Sequence, residues 1–326
     1  MKNSVFCILF GLLSTTAFAQ TSTTTLSLPS TTVDAASTTQ TSESNPTQTS
    51  TIKKEHVFNK KFEEDQNITD AKLKADAGSL ERYSIKFNLS YAGPPVGDLD
   101  NKMQPNPDGS AGTYETSLGG SISARYRIST STALSLGTGV SALTPVQGVK
   151  RYDVKNPFVS YDMSNRFWDT QMRNAFGATL VTNPDWKVQG ETSGLTYDNY
   201  WLYNIGTSGW GIELDTSFAY WIYDRGANPK NVKEMKSGMY TVNLYPQVKY
   251  NFSDKFSANT SLNMPFVSPR GSNDRTILWN RTLSQRVGVG YAFTRDIYFS
   301  PYLNFYPKSA ELDSTTINFS TTFSIL

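Results

Sequence analysis

Thr315-Thr316-Ile317-Asn318-Phe319-Ser320-Thr321-Thr322-Phe323-Ser324-Ile325-Leu326 is the stretch that decides the fold. Ile317, Phe319, Thr321, Phe323 and Ile325 fall on one face of an extended chain; Thr316, Asn318, Ser320, Thr322 and Ser324 fall on the other. A period of two is a β-strand with one apolar and one polar face. The same alternation recurs upstream. Tyr83, Ile85, Phe87, Leu89 and Tyr91 oppose Ser84, Lys86, Asn88 and Ser90. A second strand, read from Tyr114, sets Leu118, Ile122, Ala124 and Tyr126 against Glu115, Ser117, Ser121, Ser123, Arg125 and Arg127. Later segments repeat it, with Ile212, Leu214 and Phe218 against Glu213, Asp215 and Ser217, and Val242, Leu244 and Val248 against Asn243, Gln247 and Lys249.

Alternation alone does not tell lipid from the core of a soluble sandwich. The connections do. Short ones fall near Ser129–Ser131, Trp168–Gln171, Gly206–Gly209, Asn251–Lys255 and Thr294–Asp296. Long ones fall near Ala92–Gly112, Thr144–Lys155, Thr182–Ser193, Asp224–Gly238, Val267–Arg275 and Lys308–Ser314. Long and short alternate strictly, which is the asymmetry of a transmembrane barrel and has no cause in a sandwich. The fold expected is all-β: a transmembrane, antiparallel, up-and-down barrel over residues 83–326. It has twelve strands, or ten if the irregular segment from Asn156 and its partner near Gln171–Val181 are not spans. The last strand closes the barrel against the strand beginning near Tyr83. In the tenth strand Gln285 falls on the apolar face of Val287 and Val289 and calls for a bulge or a polar partner.

Composition agrees. Hydrophobic residues are 38% of the 326 and mean hydropathy is −0.42. No run of about 20 apolar residues follows the N-terminus, which excludes helical spans; strands that meet lipid with every second residue escape that test. Tyr126, Tyr250, Phe252, Phe256, Tyr291 and Phe293 flank the short turns, as rings with apolar bodies do at a lipid interface.

The N-terminal part reads differently. Lys2, the apolar Val5–Leu13 and Ala17-Phe18-Ala19 form a secretion signal over 1–19. Residues 20–52 are a Ser/Thr-rich spacer expected to be disordered: 19 of the 32 residues from Thr21 to Ile52 are Ser or Thr. Residues 53–82 form a charged periplasmic segment with helical potential; a small plug entering the barrel is the sharper alternative. The single Cys7 lies within the signal, so the mature chain has no disulfide.

With signal, alternation, sorted connections and terminal strand in hand, residues 83–326 resemble the gram-negative outer-membrane β-barrels, porin-like members included. The family's assembly signal is a terminal strand with alternating apolar residues, here Ile317, Phe319, Phe323 and Ile325. It usually ends in Phe or Trp; here Leu326 stands at the end. The resemblance implies an outer-membrane location with both termini periplasmic. The implied partners are outer-membrane lipid and lipopolysaccharide, the outer-membrane assembly machinery and, for a pore, small solutes.

The polar strand faces are expected to line the lumen. Its cations are Lys86, Arg125, Arg127, Arg173, Lys249 and Arg286; its anions are Glu115, Asp162, Asp198, Glu213 and Asp215. Many lie toward the periplasmic half, and six against five implies weak ion selectivity. The function expected is a narrow passive channel, with a structural or surface-display barrel as the alternative. Enzyme chemistry is not expected. The only histidine, His56, precedes the barrel, and imidazole is the usual proton carrier near neutral pH. No metal or phosphate-loop spacing occurs, so no cofactor and no metal are expected. A net charge of +2 gives no case for nucleic acid.

Overall fold

A computed structural model describes residues 61–106, 112, 114–188, 190–224, 239–268, 279–280 and 282–325. The signal, the Ser/Thr-rich spacer, His56 and Leu326 lie outside the described residues. Among the described residues, twelve long strands form the closed ring of one sheet, to which a two-residue strand, Trp279–Asn280, adds opposite Phe266–Val267: β1 (Tyr83–Pro95), β2 (Ser117–Arg127), β3 (Thr132–Leu143), β4 (Arg151–Phe167), β5 (Thr170–Leu180), β6 (Glu191–Asn204), β7 (Trp210–Tyr223), β8 (Tyr240–Asn251), β9 (Phe256–Val267), β10 (Ser284–Thr294), β11 (Ile297–Phe305) and β12 (Thr316–Ile325). Each pairs antiparallel with its sequence neighbours, and β12 returns to β1. Ile85 sits opposite Ile325, Phe87 opposite Phe323 and Tyr91 opposite Phe319. The Phe87 and Phe323 rings stack at 4.6 Å and those of Tyr91 and Phe319 at 5.3 Å. No barrel strand is left with an open edge.

Segment β4 is a full span with β5 as its partner, so the count is twelve rather than ten. Its irregularity has a local cause: a bulge opposite Thr138–Val140 shifts the β3–β4 register. The second strand is shorter than the alternation suggests. It begins at Ser117, because Tyr114 and Glu115 pair instead with Met103 and Gln104 in the β1–β2 connection.

Following opposed residues once round the ring from Ile85, with ladders extended where strands end, leads back to β1 about 16 positions further along. With strands about 4.8 Å apart and a rise of about 3.3 Å per residue, that stagger gives a tilt of about 40° and a backbone wall about 25 Å across. Connections are sorted as expected: 128–131, 168–169, 205–209, 252–255 and 295–296 at one end, longer ones at the other.

The two faces of the wall are inverted relative to a soluble barrel. Leu136, Phe176, Leu195, Trp201, Ile212, Tyr220 and Val248 are exposed on the outside, while Lys86, Arg125, Arg127, Gln171, Glu213 and Lys249 are buried within. Rings gather at the short-turn rim: Trp210 with Tyr250, Tyr250 with Phe252, Tyr291 with Phe293, and Phe167 with Trp168, all with centroids within about 5 Å. Gln285, on the outer face, donates from Nε2 to Thr260 Oγ1 at 3.1 Å, and Thr260 donates in turn to the Arg286 carbonyl at 3.1 Å. No bulge is needed; a neighbouring hydroxyl satisfies the amide. A charged inside with an apolar, aromatic outside places this barrel in a lipid bilayer.

Candidate functional site in the barrel lumen

The segment before β1 carries a helix, α1 (Ala71–Ala77), inside the barrel. Asp70 is its N-cap, extended at φ −68°, ψ 136°, and accepts from Leu73 N at 3.1 Å. Gly78 ends it at φ 70°, donating to the carbonyls of Lys74 at 3.1 Å and Ala75 at 3.0 Å. At about 1.5 Å per residue the helix is only about 10 Å long. Yet its segment touches side chains from β1, β2, β5, β6, β8, β10, β11 and β12. Only a helix within the ring reaches strands all round it. A helix about 10 Å thick, met by inward side chains from a wall about 25 Å across, leaves little free cross-section.

Two apolar contacts seat it. Leu73 packs with Ile68, Tyr200 and Leu202, and Ala75 packs with Ala292 and Tyr298. Burying Leu73 is worth about 2 kcal/mol. Tyr298 reaches the helix by lying across Gly290, where a Cβ would stand 1.7 Å from the tyrosine oxygen.

Charge fixes the two ends. At the N-terminal end Lys249 Nζ pairs with Asp70 and, at 2.8 Å, with Glu213; Gln247 donates to the same Glu213 carboxylate. Gln171, fully buried, accepts from Thr69 N at 2.7 Å and Asp70 N at 3.1 Å and donates to Thr69 Oγ1 at 2.9 Å. At the C-terminal end Arg127 donates to four carbonyls: Ala77 at 2.7 Å, Gly78 at 3.0 Å, Ser79 at 2.8 Å and Thr130 at 2.8 Å. Lys86 and Arg125 donate to the Asp76 carbonyl at 2.5 and 3.4 Å. Arg295, in the β10–β11 turn, donates to the Gly78 carbonyl at 2.6 Å. These cations satisfy the otherwise unpaired carbonyls of the last turn and oppose its negative dipole end. Outside the strands, Glu64 pairs with Lys74 at 2.9 Å, and that bond holds its carboxyl below the usual range. Burial pushes the Asp70 carboxyl up, but the Lys249 ammonium outweighs it, so the net direction is down. Burial pushes Lys72 down; the carboxylates of Glu213, Asp215 and Asp76 outweigh it, and the net direction is up.

Of the eleven charges read from the sequence, five hold the α1 segment: Lys86, Arg125, Arg127, Glu213 and Lys249. Arg173 and Asp162 pair with each other across β5 and β4. Asp198, Asp215 and Arg286 line a cavity of about 350 Å³ beside the helix, together with Lys72, Tyr200 and Tyr245. The Arg286 guanidinium stands over the rings of Tyr245 and Tyr302, 5.6 and 5.1 Å from their centroids. Glu115 is not brought together with the others. It lies in the loop ladder beyond β2, where Lys150 binds it at 2.6 Å. On the other wall Lys155 crosses Gly119 and Gly139; a Cβ at Gly119 would stand 3.5 Å from its ammonium. Strict alternation sets Lys155 on the outer face, and the β3–β4 bulge turns it inward.

Asp70, Lys72 and Arg295 were not among the charges read from the strands, and the neutral Gln171 was not singled out. A signal for the helix was present: Asp70 precedes Ala71-Lys72-Leu73-Lys74, an N-cap followed by strong helix formers. Among the described residues, no group of three or more His, Cys, Asp or Glu is placed to hold a metal ion.

No family model and no curated protein matches the sequence. Among solved structures the chain is similar to an outer membrane channel from Pseudomonas putida F1, at 10% identity and a TM-score of 0.46, covering 77% of this chain and 98% of that one. It is also similar to Salmonella typhi OmpF in complex with daunomycin, at 10% identity and a TM-score of 0.37, covering 77% and 98%. The NanC porin is a third, at 7% identity and a TM-score of 0.38, covering 74% and 98%. At these identities the architecture rests on the chain's own strand pairing, which is that of a closed, antiparallel, twelve-stranded barrel.

Proposed function

We propose that this protein is an outer-membrane channel: a narrow, weakly selective passive pore for small solutes whose periplasmic mouth is occupied by its own N-terminal helix. The observation that carries this reading is how the lumen is filled. A separate segment occupies it, seated by small apolar contacts and polar bonds, with a polar cavity beside it. Weak selectivity follows from pairing. Most lumen cations and anions neutralise each other or bind main-chain carbonyls, which leaves Asp198 and Asp215 against Lys72 and Arg286 in the cavity.

A plugged lumen also suits a structural or surface-display barrel whose outer loops contact other cells or envelope partners. Recording from the purified full chain in a planar bilayer separates the two. The channel reading predicts brief openings with a reversal potential near zero in a salt gradient. Silence from folded protein under every condition that releases the helix supports the structural reading and ends the channel one.

A further inference from the structure

Lys249 and Lys72 are held in opposite ways. Lys249 is clamped by two carboxylates, those of Asp70 and Glu213. Lys72 forms no direct salt bridge among the described residues. Its ammonium stands 4.5 Å from the centroid of the Tyr200 ring, at the edge of the cavity of about 350 Å³ that Asp198 and Asp215 also line. A ring face with carboxylates nearby is the chemistry that holds an ammonium group. Tyr200 is 5% exposed, and its hydroxyl lies buried beside the Glu213 carboxylate. The wall here presents ring and acid together.

We propose that the Tyr200–Asp215 wall is a binding site for small organic solutes bearing a primary ammonium group, and that Lys72 of α1 is its tethered occupant. A tethered ammonium competes at the effective concentration its linkage sets, so a free amine sees the site only in the fraction of time Lys72 is away. Amine binding and seating of the helix are then mutually exclusive at this wall. Departure of Lys72 leaves the Tyr200 ring, Asp198 and Asp215 facing the cavity, open to a free ammonium group.

The site belongs to the lumen of the proposed channel, but its test does not need conduction. The full chain and its variants, in detergent micelles, are titrated calorimetrically with 5-aminopentan-1-ol, with pentane-1,5-diol as the neutral control. Heat-shifted migration on SDS gels confirms that each variant is folded. Lys72→Ala, which keeps a strong helix former, is expected to bind the amine at least about tenfold more tightly than wild type, and the diol not at all. Adding Asp215→Asn or Tyr200→Leu to Lys72→Ala is expected to abolish the gain. Equal amine affinity in wild type and Lys72→Ala, or a gain that survives both wall substitutions, overturns the proposal. Amine binding by a barrel that never conducts would leave the site standing and remove only the channel.

Discussion

Lys249 illustrates how a strand residue can be legible by itself and illegible in its purpose. Its place on the polar face of β8 follows from alternation with Val248 and Tyr250. Its partner, Asp70, lies 179 positions earlier, and no local pattern links them. The same holds for Lys86, Arg125 and Arg127, whose acceptors, Thr130 apart, are main-chain carbonyls of a segment outside the barrel sequence. Polarity of a face is written in the period of the chain; the object it faces is not. Removing the Lys249 ammonium leaves Asp70 and Glu213 buried without their cation, a loss of about 3–5 kcal/mol for a broken buried pair. That loss falls on docking of α1, because the β8 ladder is unchanged. Lys249→Met is therefore expected to speed tryptic cleavage after Lys72 and Lys74 at least tenfold in detergent. Unchanged cleavage would show that the pair does not hold the helix.

At the scale of elements, the strands were readable almost to the residue because each is a half-polar surface of period two. The exceptions came where something else competed for the chain. Tyr114 and Glu115 left the second strand for a ladder with Met103 and Gln104, and the bulge near Gly139 turned Lys155 inward. The helix α1 is the opposite case. Too short and too charged to be stable alone, it depends on the wall for its order, so the sequence gives it potential without position. Its docking is also titratable. Glu64, held by Lys74 and, at 3.6 Å, by Arg295 of the wall, and Asp70, paired with Lys249, both have carboxyls lowered in the docked state. Such groups stabilise docking fully above their ordinary values of 4.5 and 3.8 and lose that contribution as pH falls below them, through the lowered docked values. Open probability in a planar bilayer is expected to be flat from pH 8 to about 5 and to rise as pH drops toward about 3. A fall over the acid range would contradict this assignment of the docking charges.

At the scale of the whole molecule, the sorting of connections carried the most information. A ring of twelve strands with every long connection at one end follows from that alternation and from a terminal strand that must find β1. Closure through Phe87 on Phe323 and Tyr91 on Phe319 joins the last strand to the first. The barrel is thus expected to migrate faster on SDS gels before boiling than after, in wild type and in Lys249→Met alike; loss of the shift in the variant would mean that the helix, not the ring, holds the barrel together. For residues 53–82 the sequence left a charged periplasmic segment and a small plug as alternatives, because the wall residues that receive the segment lie far along the chain.

The central claim is that α1 plugs the lumen of a barrel otherwise able to conduct. Single-channel recording of wild type and Lys249→Met at neutral pH, in the same bilayer, addresses it most directly. The expected result is a mostly closed wild type and a variant whose open probability is at least tenfold higher at the same unitary conductance. Identical traces from two folded proteins would contradict the claim.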